Sequence, residues 1–314
     1  MASSFRQSGV LERVKPGHRV AITCGSRGIS NLLTIVKAAV DEFKKVGAEP
    51  FVGPTMGSHG GATGEGQLEI LAHYGVTPEN LGCPILSSME VQEVGRSREG
   101  IIAMVDKHAM SADHIVVLNR IKPHTEFEGR IESGICKMIC IGLGKHQGAL
   151  HYHQAGVNFG LEYALRTGTR LVLQNAPILC GVGIVEDGYD QTAVIEVIPA
   201  DRIEEREEEL LVLAKEWVPK LPFREADVLI VNQIGKNISG SGMDTKVVGR
   251  IMSPYSPEPE WPRITRIVAL DVTPEAEGNC VGVGLADFTT RRLVDKLDPV
   301  PTYINAITAQ SPEK

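Results

Sequence analysis

Short β-rich runs that end in glycine-rich or polar loops, each followed by residues at helical spacing, constrain this chain more than any single motif. The run 18–23 (HRVAIT) meets a turn at 25–28, after which Leu32, Ile35, Val36, Ala39 and Phe43 recur on one helical face. A second unit follows at once, with AEPFVGP as strand, TMGSHGGATGEG as loop and GQLEILAHYG as helix. Further strands are expected at 100–105 and 115–118. The LEYALRTG end of the segment 142–168 reads as a helix, and ADRIEEREEELLVLAKEWVPKL as an acidic helix whose charges form a solvated face. Such alternation folds as parallel α/β units. The expected architecture is therefore α/β: two α/β domains with mainly parallel sheets and the active site in the cleft between them.

ADHIVVLNRIKPH (112–124) and ADVLIVNQIGKN (226–237) echo each other as strand, Asn-x-Ile and a lysine. The echo suggests two similar halves. We expect an N-terminal α/β domain at 1–222 and a smaller C-terminal α/β domain at 223–314, with room for the final segment to return to the first. At 42% hydrophobic and 23% charged residues, the 314-residue chain can build a core without disulfides. Its six cysteines read as reduced core residues, Cys136 and Cys140 being the only close pair. A net charge of −7 argues against a nucleic-acid partner, which needs a basic stripe. No stretch approaches the roughly 20 apolar residues of a membrane span. The expectation is a cytoplasmic protein with a small-molecule partner; the oligomeric state is not constrained.

In open parallel sheets, ligands bind outside the carboxyl ends of the strands. The unusual loops fall there: 24–28, 56–66, 119–129 and 232–244. Together they would bring Arg27, His59, Lys122, His124 and Lys236 to one cleft, with Asp244 and Lys246 as further substrate groups. His59 lies among small residues, in Gly-Ser-His-Gly-Gly, and His124 is stiffened by Pro123. Two imidazoles from separate loops suit a reaction that removes a proton on one face and delivers one on the other. Lys137, between Ile135, Cys136, Met138 and Ile139, is expected to be partly buried. It would serve as a nucleophile or pair with Glu126, Glu128 or Glu132. KHQGALHYHQAG offers His146, His151 and His153, and an H-x-H pair can ligate a metal in an extended segment. GLGKHQG lacks the phosphate-loop spacing.

These motifs resemble the nickel-pincer lactate racemase family. The likeness lies in Ser26-Arg27-Gly28 after the first strand, in Gly57-Ser58-His59, and in Lys122-Pro123-His124. The last leads through Phe127 and Gly129 to Ser133-Gly134 and Lys137, and a histidine follows at 151 or 153. It covers the first half of the chain in order. The resemblance implies a nickel-pincer nucleotide (pyridinium-3,5-bisthiocarboxylic acid mononucleotide nickel) tethered to Lys137, with Gly57 and Ser58 beside it. His153, or failing that His151, would be the nickel ligand, and His59 and His124 the acid/base pair. Arg27 would grip the carboxylate of a small 2-hydroxy acid, which is racemised or epimerised by removal and return of hydride. Two other readings stand beside it: a zinc-type metal hydrolase or lyase using the histidine cluster, and a non-catalytic protein that binds a cofactor or anionic metabolite.

Overall fold

The structure is a computed structural model that describes residues 1–26, 28–253 and 257–308. The chain divides into two compact units, one of residues 1–123 and 129–218, the other of residues 124–128 and 219–314.

The larger unit contains strands β1 (Arg19–Cys24), β2 (Glu49–Pro54), β3 (Val91–Arg96), β4 (Ile102–Asp106), β5 (His114–Arg120), β6 (Ile178–Glu186) and β7 (Thr192–Pro199). Five of them form a sheet in the order β2-β1-β5-β6-β7. The first four run parallel, and β7 joins β6 antiparallel. β1, β5 and β6 are buried along nearly their whole length, which is why they read as continuous apolar runs rather than alternating ones. The helix Leu32–Lys45 covers one side with Leu32, Ile35, Val36, Ala39, Val40 and Phe43. Each fully buried Leu, Ile, Val or Phe contributes about 1.5–3 kcal/mol, so this face holds the helix in place more than its intrinsic propensity does.

Two expectations change here. The strand expected at 100–105 is β4, which pairs antiparallel with β3 in a separate hairpin. The acidic run forms the helix Ile203–Trp217, but its charges are not all solvated. Glu204 and Glu208 pair with Arg166, and Glu207 is fully buried.

The smaller unit has a three-stranded parallel sheet in the order β10-β9-β8, from β8 (Glu225–Val231), β9 (Arg263–Ala269) and β10 (Phe288–Thr289). Ile234, Met243, Val248, Ile267, Leu285 and Leu293 build its core. The short segment His124–Glu128 belongs to this unit. Ser241 Oγ donates to Glu126 Oε1 at 3.1 Å, and Thr245 Oγ1 donates to the Thr125 carbonyl at 2.7 Å. All six cysteines are buried free thiols. Among the described residues, no helix is long and apolar enough to cross a membrane.

Candidate functional site

In the larger unit, β1 runs out into Gly25-Ser26 and β2 into the loop that carries Gly57, Ser58 and His59. Ser26 Oγ lies 2.5 Å from His59 Nδ1, and Tyr74 Oη donates to the Ser26 carbonyl at 3.2 Å, so the two strand ends are tied together. Gly57 takes a left-handed φ of 60°, and a Cβ there would stand 3.3 Å from Ile141 Cγ2 and 3.5 Å from Ala149 Cβ. A Cβ on Gly60 would fall 2.5 Å from the Gly66 carbonyl carbon. The loop is glycine-rich because it is pressed against its neighbours. Thr63 then caps the helix Gly64–His73, its hydroxyl accepting from the Gly66 N–H at 3.0 Å.

Lys137 ends the short turn Ile135–Lys137, which continues as a π-helical turn over Met138–Gly142. π-helical turns concentrate at functional sites. The turn is fixed from two sides: Asn119 Nδ2, at the end of β5, donates to the Gly134 carbonyl at 2.8 Å, and Glu207 Oε2 accepts from the Cys136 N–H at 2.8 Å. Met138 Cε reaches within 3.2 Å of where a Cβ on Gly25 would stand. Lys137 is half-buried between buried neighbours, as its apolar flanks predict. The carboxylate of Glu132, one of its three candidate partners, is engaged by Lys215 at 2.6 Å.

His153 lies close enough to feel that lysine. Burial first, and the charge of Lys137 second, push its imidazole down to about 4, so the ring is neutral near pH 7. Its buried Nδ1 finds no hydrogen-bond partner among the described residues, and the same holds for His146 Nδ1. The H-x-H reading is corrected here. His151 and His153 lie on the helix Lys145–Phe159, not on an extended segment, so they point about 200° apart around its axis. His151 faces β4, where its Nε2 accepts from the Ile102 N–H at 2.8 Å. His146, Ala149 and His153 instead share the helix face that Ala149 turns toward Gly57. Among the described residues, no group of three or more His, Cys, Asp or Glu side chains is placed to hold a metal ion.

In the smaller unit His124 is buried, its ring 4.7 Å from that of Phe127. Its Nδ1 accepts from the Glu126 N–H at 3.0 Å, which puts the proton of the neutral ring on Nε2. Lys236 Nζ donates to the Gly240 carbonyl at 2.7 Å. Asp244 caps the turn Thr245–Val248, accepting from the N–H groups of Lys246 and Val247 at 3.0 and 3.2 Å. Lys246 stands in the first turn of that helix. Lys122 and Ser133 exchange backbone hydrogen bonds of 2.8 and 3.2 Å at the base of the loop between them. Arg27 lies outside the described residues.

Sequence reasoning missed one cluster. Lys145, Gln67 and Asp106 are buried together. Lys145 Nζ lies 2.9 Å from Asp106 Oδ2, 3.3 Å from Gln67 Oε1, and donates to the Pro54 carbonyl. Burial lowers the Lys145 pKa and Asp106 opposes the shift. The apolar run Ile-Gly-Leu-Gly before Lys145 is the kind of flank that marked Lys137, and it would have found this residue too.

No protein-family profile matches the chain, and no curated protein does. Among solved structures the chain is similar to the lactate racemase apoprotein from Thermoanaerobacterium thermosaccharolyticum, with a TM-score of 0.54 and 15% identity, over 74% of this chain and 58% of that one. It is also similar to a Thermotoga maritima protein, with a TM-score of 0.52 and 14% identity, over 74% of this chain and 64% of that one. At these identities the likeness is one of fold: an α/β, lactate-racemase-like fold. The chain spans less than two thirds of the length of either neighbour.

Proposed function

We propose that the protein is a racemase or epimerase of a small 2-hydroxy acid that uses a nickel-pincer nucleotide held by Lys137 and His153. The observation that carries this reading is the surroundings of His153: a neutral imidazole with a buried, unpartnered Nδ1, within electrostatic reach of Lys137, which caps a π-helical turn. A neutral ring offers the lone pair that a metal needs. His151 spends its Nε2 on β4, which favours His153 between the two. These residues fit the group: Lys137 as its covalent tether, His153 as its nickel ligand, and the backbone of Gly57 and Ser58 beside it. When bound, the group supplies the hydride-accepting centre that no side chain offers, because the α-hydrogen of a hydroxy acid is too weakly acidic for an unaided imidazole.

The chain itself moves the easier proton. In this reading His59, its Nδ1 held at Ser26 Oγ, takes the substrate hydroxyl proton. His124 carries its proton on Nε2 and is set to give one. In the reverse direction the two histidines exchange roles. Arg27, Lys236 and Lys246 provide positive charge for the substrate carboxylate, and Asp244 holds the turn from which Lys246 projects. The net charge of −7 suits a small-molecule substrate better than a nucleic acid, and this reading places the enzyme in the cytoplasm.

The test is intact mass and metal content of protein produced together with the cofactor's maturation enzymes, with racemisation followed by optical rotation over a panel of hydroxy acids. We expect added mass on Lys137 and bound nickel. Lys137→Ala and His124→Ala should stay folded and lose racemisation, the latter by about 10²–10⁴-fold for a lost acid/base group. Neither adduct nor nickel would end the cofactor assignment. Zinc without an adduct would favour the hydrolase or lyase reading, and tight hydroxy-acid binding without turnover a carrier.

A further inference from the structure

We propose that Gln67 is a positioning residue for His59, and that the buried Lys145–Asp106 pair orients its amide. This deepens the reading above, resting on it only in that His59 moves a proton. Gln67 sits on the helix Gly64–His73 and is fully buried. Its Nε2 donates to the Gly57 carbonyl at 3.0 Å and to the His59 carbonyl at 3.3 Å, clamping the loop on both sides of Ser58. Its Oε1 faces Lys145 Nζ at 3.3 Å. An ammonium only donates and a carbonyl only accepts, so the amide has one satisfied orientation, and Lys145 selects it.

The loop needs such a clamp. Gly57, Gly60 and Gly61 give it wide backbone freedom, and each takes a positive φ. Lys145 is built for more than filling space. Its φ of 52° is left-handed, a conformation that is unfavourable for a non-glycine residue. That conformation aims one ammonium at three acceptors on three elements: Pro54 at the end of β2, Gln67, and Asp106 at the end of β4. Lys145 is also the first residue of the helix that carries His153. One side chain therefore registers the His59 loop against the His153 helix. A buried ion pair adds little net stability over an apolar replacement, so positioning is what this one supplies.

The experiment records the ring-nitrogen NMR spectrum of His59, free of substrate and cofactor, beside kcat and KM of the loaded enzyme, in Gln67→Glu and in the double variant Lys145→Met/Asp106→Asn. Gln67→Glu keeps the shape and the acceptor for Lys145 but loses both donors. Asn at 106 can still accept from the Ala109 N–H, the cap that Asp106 Oδ1 makes at 2.9 Å. We expect shifted or exchange-broadened His59 ring signals in both, and kcat lowered on the order of tenfold to 100-fold with KM nearly unchanged, as for a misplaced reacting group. Unchanged ring signals in a folded variant would overturn the proposal, as would unfolding of both variants, which would assign the network to stability alone. If the spectrum moves but His59→Ala racemises at full rate, the clamp stands and the catalytic reading of His59 falls. If His59→Ala is inactive and the spectrum does not move, the reverse holds.

Discussion

Glu207 caps a turn to which it does not belong. Its Oε2 accepts from the Cys136 N–H at 2.8 Å, its Oε1 has no hydrogen-bond partner among the described residues, and a side chain at Gly134 would collide with it. Burial raises its pKa from 4.5 to about 7, against the hydrogen bond from Cys136 and the charge of Arg166. The folded chain therefore binds this proton more tightly than the unfolded one. The resulting stability is fully present below pH 4.5 and is lost as pH rises toward 7. Glu207→Gln keeps an acceptor for Cys136 and removes the titration. Urea melts at pH 5 and pH 8 should show wild type losing about 1–3 kcal/mol more than the variant across that interval, because each tenfold difference in proton affinity between the folded and unfolded chain is worth about 1.4 kcal/mol. Equal losses would show that Glu207 does not titrate there. The sequence held a trace of this residue. Ile203, Glu207, Leu210, Leu211 and Ala214 share one helical stripe, so position 207 falls on the apolar face of a helix whose neighbouring glutamates face arginines or solvent. Composition concealed what spacing would have revealed, and the same is true of Lys145.

The paired helices Lys145–Phe159 and Leu161–Asn175 show where element-level reading fails. The strands were legible because branched and aliphatic runs announce themselves, as was the Leu32–Lys45 helix with its regular apolar face. The first of the paired helices buries Lys145, Gly148, Ala149, Tyr152, Ala155 and Gly156, a correct helical period written mostly in small residues. No hydrophobic stripe results, and the H-x-H pair drew attention to an extended form instead. Small residues are required because the helices approach closely: a Cβ on Gly156 would stand 3.0 Å from Leu161 Cδ1, and one on Gly168 would be 2.5 Å from Cε1 of the fully buried Tyr152. Gly168→Ala thus sets two effects against each other. Helix propensity favours alanine by about 1 kcal/mol, whereas overpacking a tight interior costs roughly 1–3 kcal/mol. Overpacking should win, since Tyr152 has no exposed side to move toward. A lowered urea midpoint with an unchanged slope is expected; a midpoint at or above wild type would show that the contact relaxes freely.

At the scale of the whole molecule, the chain leaves the larger unit twice: briefly at His124–Glu128 and then from Pro219 onward. The long departure falls in the polar, proline-bearing stretch PKLPFREAD, a visible break in the sequence. The short one leaves no periodic signal, because a few residues between two loops have no period to show. Its consequence is energetic. The smaller unit takes from His124–Glu128 an acceptor for Ser241 and an acceptor for Thr245. Ser241 and Thr245 are themselves buried, so losing their partners strands polar groups away from water at about 1–3 kcal/mol each. A fragment of residues 219–314 should therefore exchange the amides of residues 239–248 faster than the intact chain does. In the intact chain, Ser241→Ala and Thr245→Val should each reproduce a share of that loss, about 1 kcal/mol or roughly fivefold in protection, for one hydrogen bond removed with its donor. Hydrogen exchange read residue by residue decides the matter. A fragment as well protected over 239–248 as the full protein would mean that His124–Glu128 is held by the smaller unit without helping to hold it, and that the imidazole of His124 rides on a segment free to shift.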